Sequence, residues 1–144
     1  WLHATLLTGG FRRASPLSQV LTLGANTAAT RGTPVTSGAA NTKGSWVQFS
    51  ASLPDTLRGL LVAFGTNAAN KTAAEDWLFD FGVGAAASEV VVAPDIATTI
   101  DANELCFPQV QWVPLEFAAG QRLAVRGQSS VASAVLDVVI YGVY

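Results

Sequence analysis

FDFGVGAAASEVVV, residues 79–92, decides the fold, because it reads in two incompatible ways. Gly82, Gly84 and Ala87 stand as Gly-x-Gly-x-x-Ala after an aromatic run with strand character, and Asp101 follows about twenty residues on. That is the layout of a dinucleotide fingerprint. Its glycines work only because a helix follows and aims free backbone N–H groups at a pyrophosphate. Here Ala85, Ala86, Ala87 and Ser88 alone separate Gly84 from EVVV, itself a β run. Four residues cannot form that helix. The stretch therefore predicts strand, tight turn, strand, with glycines where side chains would clash.

The rest of the chain agrees with a β reading. SWVQFSAS puts Val47 and Phe49 on one face, with Trp46, Gln48 and Ser50 on the other. LRGLLVAFG, residues 57–65, reads as a fully buried strand bounded by glycine. DWLFDFGV sets Trp77, Phe79, Phe81 and Val83 against Asp80 on the opposite face. QRLAVRGQ turns Leu123 and Val125 inward and Arg122, Ala124, Arg126 and Gln128 outward. SEVVVAP is a further apolar run, and LCFPQVQWVPLEF carries Pro108 and Pro114, which confine it to an edge or bulge. AVLDVVIYGVY is apolar to its last residue and predicts a C-terminus docked in a sheet. The best helix candidates, AANKTAAED and PDIATTIDANEL, are short and Ala-rich. Strands every 10–15 residues or so predict an all-β, antiparallel two-sheet sandwich or barrel.

Residues 1–44 differ in texture, being rich in Thr, Ala, Gly, Ser and Asn, with LSQVLTLG (17–24) as the plausible strand. They read as an extended N-terminal arm or edge segment, and residues 45–144 as the sandwich domain. The chain begins at Trp1 rather than Met, so processing or a missing start is expected.

Composition narrows the function. Only 12% of the 144 residues are charged, against about 25% in an average domain, and half are hydrophobic. A surface so poor in charge predicts permanent assembly with partners. The net charge is −2 and only Arg12 and Arg13 are adjacent among the basic residues, which argues against nucleic-acid binding. No apolar run has the length of a membrane-spanning helix.

Catalytic and metal constellations are not expected. His3 and Cys106 are the sole residues of their types, so no Cys/His zinc spacing exists and no disulfide within the chain can form. Cys106 sits among apolar residues as an inert thiol. GTNAANKT, residues 65–72, imitates a phosphate-binding loop, but Asn70 replaces its second glycine and no helix follows. Arg12 to Ser15 imitates a kinase site before Pro16. Glu75-Asp76 and Asp101/Glu104 are acidic pairs without calcium-loop spacing, read as solvated loop acids rather than glycosidase carboxylates. No cofactor is expected.

The aromatic residues are the candidate contacts. Trp77 and Trp112 fall on apolar faces and are assigned to the core. Trp46 shares a face with Gln48 and Ser50, where it packs under a loop or the N-terminal arm, or meets a partner or sugar. Trp1, Leu2 and Phe11, in the arm, are the candidate anchors into a neighbouring subunit.

Taken together, RGTPVTSGAANTKGSWVQF, LRGLLVAFGTN, DFGVGAAASEVVVAPD, VPLEFAAGQRLAVRGQSS and VLDVVIYG resemble a module of tailed-bacteriophage virion proteins. The resemblance covers residues 31–144. Its most specific parts are the run from Asp80 to Glu89 and the run from Pro114 to Arg126. It implies a jelly-roll-like β-sandwich on the virion, assembled in the host cytoplasm, as a capsid decoration, head spike or part of a tail fibre. It implies no catalytic residues. The partners implied are other virion proteins, whether the major capsid protein or tail proteins, and further copies of the chain, with a trimer expected by analogy. The competing expectation is a receptor-binding tip that takes host surface glycan through Trp46 or the 66–76 loop.

Overall fold

Period-two alternation along nearly every strand produces two sheets with their apolar faces turned toward each other. The computed structural model describes residues 19–25, 32–65, 74–101 and 109–144. The strands are β1 (Val20–Leu23), β2 (Thr33–Thr36), β3 (Val47–Ser50), β4 (Gly59–Gly65), β5 (Glu75–Val83), β6 (Val90–Ile100), β7 (Gln109–Val113), β8 (Leu123–Ser129) and β9 (Val135–Val143). One sheet runs β1-β9-β4-β7, with β2 also pairing β9; the other runs β3-β8-β5-β6. All pairings are antiparallel. Strands β2-β9-β4-β7 facing β3-β8-β5-β6 is the strand order of a jelly roll, in which successive strands from β2 onward are dealt between two sheets. The chain is an all-β sandwich of that kind, and β1 extends the edge that β2 begins.

The core follows from the alternation. Leu60, Val62 and Phe64 of β4 face Trp77, Phe79 and Phe81 of β5, with Leu123, Val125, Leu136, Val138 and Ile140 closing the layer. Phe79 stacks on Phe64 of the opposite sheet at 4.8 Å and on Trp77 at 5.2 Å. Each such pair contributes roughly 0.5–1.5 kcal/mol beyond the area it buries. These rings tie the two sheets together near the middle of β5.

The 79–92 stretch folds as strand, turn, strand. β5 ends at Val83 opposite Val90 of β6, and residues 84–89 reverse the chain. Gly84 takes a φ of +117°, which side chains disfavour, and the Ser88 N–H donates to the Ala85 carbonyl at 3.0 Å. Asp101 lies just beyond the far end of β6, an eleven-residue strand spanning about 36 Å. No ribose bound near Gly84 could reach it.

Four expectations change. Trp112, assigned to the core, is 48% exposed, because its partner on β4 is the outward-facing Leu61 rather than Leu60. PDIATTI, the start of a helix candidate, completes β6, and Glu75 and Asp76 of the other candidate open β5. β4 is not buried on both faces: Leu60, Val62 and Phe64 point inward while Leu61 and Ala63 are only half-buried. The expected arm, residues 1–44, includes two strands of the five-stranded sheet, and its Val35 and Leu23 are core residues. Residues 1–18 lie outside the described residues.

Candidate functional site

The outer face of the four-stranded sheet collects most of the described side-chain ion pairs. Outward positions recur every second residue, so β5 offers Asp80 and Gly82, and β8 offers Ala124 and Arg126, with Arg122 just before its first residue. The β5–β8 register places Asp80 opposite Arg126 and Gly82 opposite Ala124. Arg126 Nε donates to Asp80 Oδ2 at 2.9 Å. The segment between β2 and β3 then runs along the edge of β8, with N–H groups of Asn41 and Gly44 donating to the carbonyls of Ser129 and Gly127. From that segment Lys43 reaches inward, and its Nζ lies 2.7 Å from Asp80 Oδ1, 2.8 Å from Asp95 Oδ1 and 3.2 Å from the Leu78 carbonyl.

Asp80 is buried, which by itself pushes its carboxyl upward. The Lys43 ammonium, the Asp95 backbone N–H (3.1 Å) and Arg126 more than offset that and hold it below the usual carboxylate range. Both oxygens are committed to donors. A carboxylate held this way is a poor proton donor near neutral pH and serves to organise its neighbours.

A second pair closes the turn. Arg122 Nη1 lies 2.6 Å from Glu89 Oε1, and Arg122 Nε donates to Gln48 Oε1 at 2.9 Å. The Glu89 side chain is almost wholly buried. Burial pushes its carboxyl up; backbone N–H groups of Glu89 and Ala87 and the Arg122 guanidinium pull it down further, so the net direction is down.

Trp46 lies across this surface, half-buried. The Arg126 guanidinium carbon sits 4.6 Å from its ring centroid, and any side-chain carbon on Gly82 would come within 2.6 Å of the indole. Gly82 is thus the place where the sheet admits an aromatic ring. Trp46 packs on the sheet through Gly82 and Arg126.

The other sequence candidates do not converge here. Trp1, Leu2 and Phe11, together with His3, Arg12 to Ser15, the 66–73 loop, Glu104 and Cys106, lie outside the described residues. Glu75 and Asp76 point to opposite faces. Glu75 is buried, correcting its reading as a solvated acid, and accepts the Trp77 indole N–H at 3.0 Å; Asp76 accepts the Thr99 hydroxyl at 2.9 Å. Sequence reasoning had placed Asp80, Arg122 and Arg126 outward without joining them, and had given Lys43 and Asp95 no role. A lone acid in an apolar strand, and two arginines four residues apart on one strand face, were the available signals.

Among the described residues, no group of three or more His, Cys, Asp or Glu side chains is arranged to hold a metal ion. No helix of the described residues is long and apolar enough to cross a membrane. Comparison of the chain with protein-family models, with curated proteins and with solved structures gave no match.

Proposed function

We propose that this chain is a non-enzymatic structural protein on the exterior of a tailed-bacteriophage virion, acting as a capsid decoration or head-spike protein. The observation that supports the reading is how the two resembling motifs meet. Asp80 and Glu89 delimit one motif, Arg122 and Arg126 end the other, and they form two ion pairs on one sheet face. Residues that recur because they hold a module's surface together would pair in this way, and strings matched by chance would have no reason to. The jelly-roll strand order and the low charge fit the same reading. Its partners are then the major capsid protein or tail proteins, and further copies of itself.

Mass spectrometry of density-banded phage particles, followed by cryo-EM of the same particles, tests this reading. The protein in stoichiometric amount, with its density on the head, is the expected result. Its absence from banded particles overturns the proposal. Density at the tail tip, with glycan-array binding lost in Trp46→Ala, replaces it with the receptor-binding alternative.

A further inference from the structure

The outer face of the four-stranded sheet continues past the Asp80–Arg126 pair toward the β8–β9 turn. Leu78 stands between Ala97 and Gln128, and beyond it Asp76 stands between Thr99 and Ser130. With Asn41, from the segment between β2 and β3, these residues line a groove of about 290 Å³. That volume is close to the lower end of the range for small-ligand sites, roughly 300–1,000 Å³.

The polar groups of the groove are held before any ligand arrives. The Thr99 hydroxyl donates to Asp76 Oδ1 at 2.9 Å. Ser130 and Asp76 clasp each other: the Ser130 N–H donates to the Asp76 carbonyl at 2.9 Å, and the Asp76 N–H donates to Ser130 Oγ at 3.1 Å. The Ser130 hydroxyl accepts there and keeps its own proton to donate. Asn41, at a left-handed φ of 58°, is tied down by its N–H bond to the Ser129 carbonyl at 2.8 Å. Such preorganisation lowers the cost of binding.

The lining selects the ligand. Leu78 and Ala97 form an apolar floor, and the outward-facing groups around it are the Asp76 carboxylate, the Thr99 and Ser130 hydroxyls and the Asn41 and Gln128 carboxamides. Among the described residues no Lys or Arg lines the groove, and the nearby Lys43 and Arg126 are engaged by Asp80 and Asp95. An anionic ligand would therefore meet Asp76 without a counter-charge. A wholly apolar ligand would strip water from the carboxylate and carboxamides and give them no partner. A cationic ligand would use Asp76 and leave the carboxamides idle. We infer that this groove binds a neutral saccharide, whose C–H face covers the floor while its hydroxyls donate to Asp76 and exchange hydrogen bonds with Gln128, Asn41 and Ser130.

The position of the groove in the fold suits such a ligand. The described chain enters the sheet at Gln19, whose carbonyl and side-chain oxygen accept the Tyr144 N–H and hydroxyl. That is the opposite end of β9 from the turn carrying Ser130, about 30 Å away along nine residues. A domain held through the chain before Gln19 turns the groove outward. The inference goes beyond the virion reading and does not depend on it.

A glycan array of neutral and acidic bacterial-surface oligosaccharides tests it, followed by titration calorimetry of the full chain with the strongest neutral binder. The expected result is retention of neutral glycans, with Asp76→Ala raising the Kd at least about tenfold and Gln128→Ala at least about threefold. Both side chains face outward, and circular dichroism and thermal melting verify that the variants fold. Trp46→Ala, on the same sheet face but outside the groove, should leave the Kd unchanged. An array that retains nothing overturns the inference, as does a preference for acidic glycans or neutral binding that both groove variants keep. A virion protein captured by the wild type but not by Asp76→Ala, with no glycan bound, replaces the saccharide with a polypeptide. Saccharide binding in this groove by a protein absent from phage particles supports the site and counts against the virion reading, so the two can fail separately.

Discussion

Arg126 stands directly across the β5–β8 ladder from Asp80, and its guanidinium serves two neighbours at once: Nε bonds the carboxylate at 2.9 Å while the same group covers the Trp46 ring at 4.6 Å. One side chain thus joins a charge cluster to an aromatic cover on a face that would otherwise be open sheet.

Asp80→Asn should cost about 2–3 kcal/mol of stability, read from urea midpoints at neutral pH. Breaking a fully buried pair costs roughly 3–5 kcal/mol, but Lys43 and Arg126 are 18% and 31% exposed and can recover some hydration. A Lys43→Met/Asp80→Asn cycle should show a coupling well above zero.

Acid should weaken the fold through the same residue. The folded Asp80 carboxyl lies below its unfolded value, so its contribution is complete above the ordinary carboxylate range near pH 4 and is lost as pH falls through the folded value. Over that window the unfolded state binds more protons, and stability falls with falling pH. Glu89 is shifted the same way and adds to the slope. Urea midpoints measured down the acid limb should show a shallower slope in Asp80→Asn, by about one proton.

Gly82→Val should displace Trp46. A Cβ there would lie 2.6 Å from the indole, and branching enlarges the clash. A loss of roughly 1–3 kcal/mol is expected, with increased acrylamide quenching of tryptophan fluorescence. In a Trp46→Phe background, the quenching change should vanish.

Trp77 and Trp112 should behave as opposites despite similar sequence surroundings. Trp77→Ala removes a fully buried ring from the Phe79 stack and should cost about 3–5 kcal/mol. Trp112→Ala, at a half-exposed site, should cost roughly 1 kcal/mol in the monomer. Thermal unfolding of both variants at low concentration separates core from surface.

Truncation should divide residues 1–44 into two parts. Removing residues 1–18 leaves every described strand in place. Extending the cut through Gly24 removes β1, bares the β9 edge from Ile140 to Val143 and loses the buried Leu23, worth roughly 1.5–3 kcal/mol by itself. A thermal midpoint lower in the longer truncation than in the shorter one is the expected outcome.

Much of this architecture was legible in the residues because alternation is a local signal. Two residues along a strand change face whatever the strand pairs with, so Phe79 and Phe81 against Asp80, or Leu123 and Val125 against Arg122 and Arg126, could be read without a partner strand. The 79–92 stretch was equally local: too few residues follow Gly84 for a helix, so a turn had to form.

Pairing is not local, and tertiary structure alone decided it. Sequence left Trp112 looking like core, since an apolar strand does not announce which of its two faces meets the opposite sheet; the β4–β7 register turned it outward. It also left Asp80, Lys43 and Arg126 as separate residues, 37 and 46 positions apart in the chain from Asp80, with no hint that they meet. A one-residue slip in β8 would turn Arg126 into the core and leave the carboxylate unpaired. Local sequence therefore determined which side chains point in and out and where the chain turns. The register, set by burying all the inward faces at once, decided which charges meet and which apolar residues are left facing water.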